Sequence, residues 1–269
     1  MLHTTSLIPD LPTPAAELLR VEHDGAVTHL RMCRSAKRNA INDELIARIH
    51  TAVINLPEST RAVVVSGEGG HFCAGLDLSE VGELTVGEGI LHSRMWHAAF
   101  DQLQFGRVPV IAVLQGAVIG GGLELASASH IRVAEPDAFY ALPEGQRGLF
   151  VGGGGSVRIP RLIGVSRMTD MMMTGRVLDA SEGQQLGISQ YLVGAGEGLT
   201  KAFELAHRIA QNAPLSNFAV MHALPRIADM SQSDGLFVES LMAAVAQGDE
   251  AAKTRIRAFL DGRAAKVRP

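Results

Sequence analysis

Two glutamates beside glycine- or proline-containing turns are the residues of this sequence best placed to do chemistry. Glu124 follows the run Gly120–Gly122 in "AVIGGGLELA", and Glu144 follows a proline in "FYALPEGQRG", 20 residues later. Glycines at a strand-to-helix turn leave backbone N–H groups uncovered, and the start of the helix adds partial positive charge there. In a dry pocket, each such donor stabilises a developing negative oxygen by about 3 to 4 kcal/mol. The pattern therefore predicts an oxyanion site beside a carboxylate.

A second loop of the same kind is "GEGGHFCAGLDLSE", residues 67–80, which follows the apolar run "AVVV". The two glutamates also fit an ordinary structural interpretation. Glu124 can be a charge favoured by the dipole at a helix start, and Glu144 can be a solvated loop residue. Spacing alone favours this structural interpretation.

Other chemistries that use glycine, serine or histidine are not supported. A phosphate-binding P-loop needs Gly-Lys-Ser/Thr after its glycines, and neither "GGGLE" nor "GGGGSVR" has it. The dinucleotide fingerprint fails on spacing, and Ser156 does not lie in a Gly-x-Ser-x-Gly elbow. His92 and His97 are five positions apart, which fits a structural role better than a metal site.

Composition indicates a globular protein with a sizeable core. The chain has 269 residues, of which 46% are hydrophobic and 19% charged, and its net charge of −4 does not suggest a nucleic-acid partner. Cys33 and Cys73 are the two cysteines and do not form a Cys-x-x-Cys pair, so a reducing compartment fits best. Because there is neither a signal-like N-terminus nor a long apolar run, we expect a cytoplasmic protein without a membrane partner.

The elements that must position the glutamates follow from local patterns. Residues 18–32 are two alternating apolar runs around Asp24-Gly25 and predict an antiparallel hairpin. Asn42 is a candidate N-cap for the helix in "NDELIARIHTAVINL". The runs "RAVVVSG" and "PVIAVLQG" predict buried strands, each followed by a loop and a helix. We therefore expect a Pro-rich arm over 1–16, a mixed core over 17–198 and a helical part over 199–269.

Several motifs occur together in the order of one known family. They are "AKRNAIN", "GHFCAGLDLSE", "PVIAVLQGAVIGGGLELA", "AFYALPEGQRGLFVGGGGSVRIPRLIG" and "TGRVLDASEGQQLGISQYLV". With these motifs the chain resembles the crotonase (enoyl-CoA hydratase/isomerase) superfamily from about residue 20 to 195, and more weakly beyond. The resemblance implies an α/β fold, a spiral of ββα units with a helical C-terminal trimerisation part. It also implies a homotrimer or a dimer of trimers.

The resemblance also implies roles for the two loops and the two glutamates. The thioester carbonyl oxygen of an acyl-CoA substrate would lie between the N–H groups of Leu76 and Gly121. Glu144 would protonate the α-carbon, while Glu124 would orient the attacking water and take its proton. No cofactor is implied beyond the coenzyme A that carries the substrate.

Coenzyme A contacts carried over from the family are less specific. They fall on Ala36, Arg38 and Ala40 in "AKRNA", with Arg38 suited to phosphate, and on Asp77 and Leu78 in the following loop. Ordinary turn and helix-cap duties remain an alternative for each of these residues.

The chain departs from the family pattern near the second glutamate. It has "LFVGGGG", with Val151 where a proline is usual, and the bulky Tyr140, Ala141 and Leu142 before Glu144. These departures indicate an acyl pocket unlike one for short linear enoyl groups.

The leading prediction is a hydro-lyase that adds water across the 2,3 double bond of a 2-enoyl-CoA. A double-bond isomerase, a hydratase that also cleaves its product by a retro-aldol step, and a non-catalytic CoA-ester binding module are the alternatives.

Overall fold

The computed structural model describes residues 17–79 and 82–263 of the chain. The arm predicted over 1–16 lies outside these residues. The chain forms two compact units that divide between His207 and Arg208, inside the helix Gly198–Ala210. The division predicted at residues 198 and 199, where this helix begins, stays a prediction.

A six-stranded sheet forms the centre of the first unit among the described residues. The predicted hairpin is confirmed, because its first two strands pair antiparallel on either side of Asp24-Gly25. All later neighbours pair in parallel, as buried strands joined by helices do. In spatial order the strands are β1 (Leu19–Asp24), β2 (Val27–Met32), β3 (Ala62–Gly67), β4 (Val110–Leu114), β6 (Ile131–Ala134) and β9 (Tyr191–Leu192).

A smaller sheet carries the turn that leads into the triple glycine. Its strands, in spatial order, are β5 (Ala117–Ile119), β7 (Phe139–Ala141) and β8 (Leu178–Asp179). Because β5 and β7 run parallel and in register, the residues that follow them leave the same edge of the sheet. Glu124 follows β5 and Glu144 follows β7, so this pairing brings the two glutamates to one place.

Helices of the first unit pack on these sheets or follow their loops. As predicted, Asn42 caps the first helix, and its side chain accepts a hydrogen bond from the Leu45 N–H at 3.0 Å. Thr85 and Glu88 form a capping box at the second. The helices are α1 (Asp43–Ile54), α2 (Val86–Gln104), α3 (Gly121–Ser127), α4 (Gly155–Ile163), α5 (Val165–Thr174), α6 (Ala180–Leu186) and α7 (Gly198–Ala210).

The core lies between the central strands and the helices. Every residue of the predicted strands β3 and β4 is buried. Fully burying one of their valine or isoleucine side chains contributes roughly 1.5 to 3 kcal/mol. This rigid core is what holds the loops at the ends of the strands.

The second unit consists of helices joined by short turns in its described residues, as predicted for the C-terminal part. Its elements are α8 (Pro214–Phe218), a π turn at Ala219–Ala223, α9 (Leu224–Ile227), α10 (Gln232–Gly248) and α11 (Glu250–Leu260). Among the described residues of the whole chain, no helix is both long and apolar enough to cross a bilayer.

Candidate active site

The two predicted donor loops lie side by side. The Cys73 N–H donates to the Ala117 carbonyl at 2.9 Å, and the Ile119 N–H donates to the Cys73 carbonyl at 3.0 Å. A Cβ added to Gly122 would lie 2.3 Å from the Cys73 carbonyl oxygen, so only glycine fits there. Residues more than 40 positions apart in the chain are thus brought into contact.

The backbone N–H groups of Leu76 and Gly121 are neighbours in this pair of loops. A Cβ added to Gly121 would lie 3.5 Å from the Leu76 nitrogen. Gly75 has φ +93°, and its added Cβ would lie 3.4 Å from the Gly121 nitrogen. Neither amide donates to a backbone carbonyl within residues 17–79 and 82–263. The two loops thus place two backbone N–H groups close together.

Other side chains close the space around the triple glycine. Gly120 has φ +51°, and a Cβ there would lie 2.6 Å from Glu144 Oε1. A Cβ on Gly121 would lie 2.7 Å from the ring carbon Cζ3 of Trp96. Glycine is therefore required at both positions, because the turn is covered by a carboxyl group on one side and an indole on the other.

Glu124 lies in the first turn of α3 and is 3% exposed. Its Oε1 accepts hydrogen bonds from the N–H groups of Gly153 and Gly155, each at 2.8 Å. Burial raises the pKa of this carboxyl group, while the two N–H groups and the charge of Arg158 oppose that rise. Glu124 is thus a buried carboxyl group with one oxygen fixed by the start of α4.

The glycine-rich loop that holds Glu124 is itself fastened by side chains that the sequence patterns did not single out. Arg158 donates to the Gly153 carbonyl at 2.9 Å and to Asp101 Oδ1 at 2.6 Å. Ser93 Oγ donates to the Gly152 carbonyl at 2.5 Å. The one local signal is a basic residue three positions after the last glycine of "GGGGSVR". Nothing in the sequence around Ser93 indicates its contact.

Glu144 is half-buried and differs from Glu124 in its surroundings. Its Oε2 is buried and has no hydrogen-bond partner in the part of the chain that the structure describes. Burial raises the pKa of Glu144, and the nearby charge of Glu124 raises it further. The Glu144 N–H and the charge of Arg147 act in the opposite direction.

Both carboxyl groups and both amides line one cavity of about 410 Å³. Its wall is largely apolar, as is usual for sites that bind organic ligands. The main apolar side chains are Leu76, Leu78, Leu84, Ile119, Leu149 and Phe150.

Residues 140–142, which precede Pro143 and Glu144, do not line this cavity, contrary to the expectation from the sequence. Tyr140 and Leu142 are fully buried, Ala141 is 7% exposed, and none of the three lines the cavity. Their side chains fill the core because they lie on β7 and just beyond its end. The other departure, Val151, does line the cavity.

The structure also brings together the two segments expected to contact coenzyme A. The Ala74 N–H donates to the Arg38 carbonyl at 2.9 Å, and the Ile41 N–H donates to the Gly75 carbonyl at 2.7 Å. Arg38 is exposed and has φ +50°, at the end of the short 3₁₀ turn that contains Ala36. The segments therefore form one continuous surface.

The residues of this surface that are expected to contact coenzyme A differ in exposure and in the hydrogen bonds they already make. Ala40 is buried, and Leu78 is exposed and lines the cavity. The Asp77 carboxylate accepts hydrogen bonds from Ser79 Oγ and from Arg34, which hold its pKa below the usual range although burial opposes this. The Asp77 side chain is thus already engaged inside the protein, in keeping with the structural alternative.

Comparison with known proteins agrees with this arrangement. Residues 22–267 match the family model described as Enoyl-CoA hydratase/isomerase. The chain is 32% identical over 250 residues to Enoyl-CoA hydratase EchA19 of Mycobacterium tuberculosis, covering 91% of this chain and 94% of the relative.

Solved structures give the same result. One is a protein of Rhodopseudomonas palustris CGA009 that is provisionally named an enoyl-CoA hydratase. It is 58% identical to this chain with a TM-score of 0.92, and the match covers 96% of this chain and 100% of the other. The enoyl-CoA hydratase of Bacillus anthracis is 27% identical with a TM-score of 0.86, over 93% of this chain and 98% of its own.

Proposed function

Because this chain belongs to the enoyl-CoA hydratase/isomerase family, the crotonase superfamily, we propose that it is an enoyl-CoA hydratase that works in the cavity described above. The reaction adds water across the 2,3 double bond of a 2-enoyl-CoA. One observation carries the proposal: Glu124 and Glu144 line the same cavity as the paired amides of Leu76 and Gly121.

The paired amides bind the thioester carbonyl oxygen. When water attacks the β-carbon, electron density moves onto this oxygen, and the intermediate is an enolate. Donors that are already in place stabilise that charge without reorganisation, which is worth about 3 kcal/mol for each donor. They favour the transition state over the substrate because the oxygen is more negative there.

The two glutamates divide the proton transfers. Burial raises the pKa of both carboxyl groups, and we assign the negative charge to Glu124 because the two N–H groups on its Oε1 and the charge of Arg158 favour its charged form. Glu124 takes a proton from the attacking water. Glu144 keeps its proton, since burial raises its pKa and its Oε2 has no donor beside it. It delivers this proton to the α-carbon, so the product gains one water in total.

The CoA moiety lies along the surface formed by residues 36–40 and 74–78. Arg38 has an exposed guanidinium suited to a phosphate. Leu78 offers an apolar contact and the exposed Ala36 a small one, whereas the buried Ala40 offers only its backbone. Asp77 supports the loop through its ion pair with Arg34, at 3.0 Å, and contacts coenzyme A only through its backbone.

Assembly and location belong to the same proposal. We expect a homotrimer or a dimer of trimers, supported by large apolar side chains that the described helices of the second unit expose. A cytoplasmic location is supported by Cys33 and Cys73, which are both free thiols.

Mass spectrometry of the products tests the reaction. Incubation with aliphatic and aromatic 2-enoyl-CoA thioesters should give a gain of one water. Glu144→Gln and Glu124→Gln should each lower kcat by at least about 10²-fold, because each removes a positioned acid or base. If either variant hydrated the substrate at a near-normal rate, the role proposed for the replaced glutamate would be wrong.

The same experiment separates the alternatives. An unchanged mass with a moved double bond would indicate an isomerase, and a shortened acyl chain would indicate retro-aldol cleavage. Tight acyl-CoA binding without turnover across the panel would indicate a non-catalytic binding module.

A further inference from the structure

One side chain in the cavity wall has no part in the proposed proton transfers. Arg147 ends the 3₁₀ turn Gly145–Arg147 that follows Glu144, and it lines the cavity. No other arginine and no lysine lies among the lining residues that the structure describes. The described wall otherwise consists mainly of apolar side chains and glycines, so Arg147 is the one permanent positive charge in that part of the wall.

The guanidinium of Arg147 has no partner in the described chain. Its backbone N–H donates to the Glu144 carbonyl at 3.0 Å, but its side chain makes neither a hydrogen bond nor an ion pair there. His92, the other cationic candidate in the wall, lies 2.7 Å from Asp43 Oδ1. Arg147 and Glu144 line the same cavity, three residues apart in the chain, and the charge of Arg147 lowers the pKa of Glu144.

Contact between an unpaired guanidinium and a purely hydrocarbon acyl chain is unfavourable. Such a chain would remove water from the guanidinium and offer no acceptor in return, which is unfavourable for a charged group. A carboxylate at the far end of the chain would replace that water with a charge-assisted, two-pronged hydrogen bond. The remaining apolar wall would contact the methylene groups between the two ends.

We propose that the substrate is a 2-enoyl-CoA whose acyl chain ends in a carboxylate, and that Arg147 is the residue that selects it. This inference rests on the proposed hydratase function and narrows its substrate class. Arg147 is a binding residue in this scheme, since the acid and base remain Glu144 and Glu124.

Matched substrate pairs test the inference. In each pair, two 2-enoyl-CoA thioesters of equal chain length differ only in ending in a methyl group or a carboxylate. Wild-type protein should have a kcat/KM about 10- to 100-fold higher for the carboxylate at the best chain length. Arg147→Leu should lower the ratio of the two kcat/KM values at least tenfold, and Arg147→Lys should keep part of the preference.

The ratio of the two kcat/KM values cancels effects that act equally on both substrates, including any change in the pKa of Glu144. Arg94→Leu is the matched control, because Arg94 is an exposed arginine that does not line the cavity. It should leave the ratio unchanged. Arg147 is itself exposed on a turn, so its replacement is not expected to prevent folding.

A binding measurement separates this inference from the hydratase function. Calorimetric titration with saturated acyl-CoA pairs, again ending in methyl or carboxylate, requires no turnover. A carboxylate preference that Arg147→Leu removes supports the inference even if hydration fails. Equal affinity of the wild-type protein for both members of a pair would overturn the inference. An equal loss of affinity for both members in Arg147→Leu would also overturn it, and would indicate that Arg147 binds coenzyme A instead.

Discussion

Glu124 and Glu144 carry the same functional group but differ in what surrounds their oxygens. Glu124 receives two N–H bonds on Oε1, whereas Glu144 has a buried Oε2 without a donor. Hydrogen bonds favour the charged carboxylate, and burial without donors favours the protonated acid. In the proposed mechanism, this difference is the reason for assigning the base to Glu124 and the acid to Glu144, since both have the same side chain.

At Gly121, adding one methyl group should disable the oxyanion donors. The new Cβ of Gly121→Ala would lie 2.7 Å from the Trp96 ring, so the turn must shift and move its N–H. We expect kcat to fall by about 10²-fold or more, with a lower melting temperature. Gly87→Ala is the control, since a Cβ at Gly87 meets nothing within 4 Å. A folded Gly121→Ala variant with normal kcat would contradict the oxyanion role.

The pH dependence of kcat/KM should report the protonation of Glu144. The acid must be protonated, so the rate should fall as pH rises through its pKa, which burial places above the ordinary value. The charge of Arg147 lowers this pKa. Arg147→Leu should therefore move the alkaline limb to higher pH, and Arg147→Lys should leave it near the wild-type position. An alkaline limb that stays in place or moves to lower pH in Arg147→Leu would exclude this coupling.

Helix α2 supports the site from one side over several turns. Trp96 lies against Gly121, while Ser93 and Asp101 act on the loop that holds Glu124, Ser93 directly and Asp101 through Arg158. The helix thus connects the turn at Gly121 to the loop that holds Glu124. A long helix is suited to this task because its side chains are fixed relative to one another.

Removing the Ser93 hydroxyl should loosen the loop and misplace Glu124. We expect Ser93→Ala to lower kcat about tenfold with a smaller change in KM, because small displacements of a catalytic group are costly. Ser93→Thr, which retains a hydroxyl, should keep most of the wild-type kcat.

The matched control for this loop is Thr169→Ala. It removes a hydroxyl that donates to the Val165 carbonyl on the exposed surface of α5. Its kcat should equal that of the wild type. If Ser93→Ala changed only the melting temperature, the hydroxyl would be structural rather than positioning.

Large apolar side chains on the second unit bear on the assembly of the whole molecule. Phe237 is 65% exposed on α10, and Leu260 is 75% exposed at the end of α11. They are two of several large apolar side chains exposed on these helices, and contiguous apolar patches of this kind are typical of interaction surfaces.

Light scattering after size exclusion should give the mass of a homotrimer or a dimer of trimers. Phe237→Asp should lower that mass at the same protein concentration, because a buried unpaired carboxylate is unfavourable at an apolar interface. Glu239→Ala, a change at an exposed polar position of α10, should not. A monomeric wild-type protein would rule out the proposed assembly.

Local features were predictable because their causes lie within a few residues. The turn at Asp24-Gly25, the cap at Asn42 and the buried strand "AVVV" follow from conformational preference and periodicity, and all three are present. The two glutamates and the glycine turns were identified by motif, since their spacing alone favoured a structural interpretation.

The tertiary structure decided which residues meet across long sequence distances. Parallel pairing of β5 with β7 brings Glu124 and Glu144 to one cavity, and α2 places Ser93 on a loop 59 residues away. Tyr140 lies in the core instead of the expected pocket wall, and Arg147 lies in the wall with no side-chain partner among the described residues. Periodicity reports which face of an element is apolar, whereas such contacts depend on how elements pack, which no local pattern encodes.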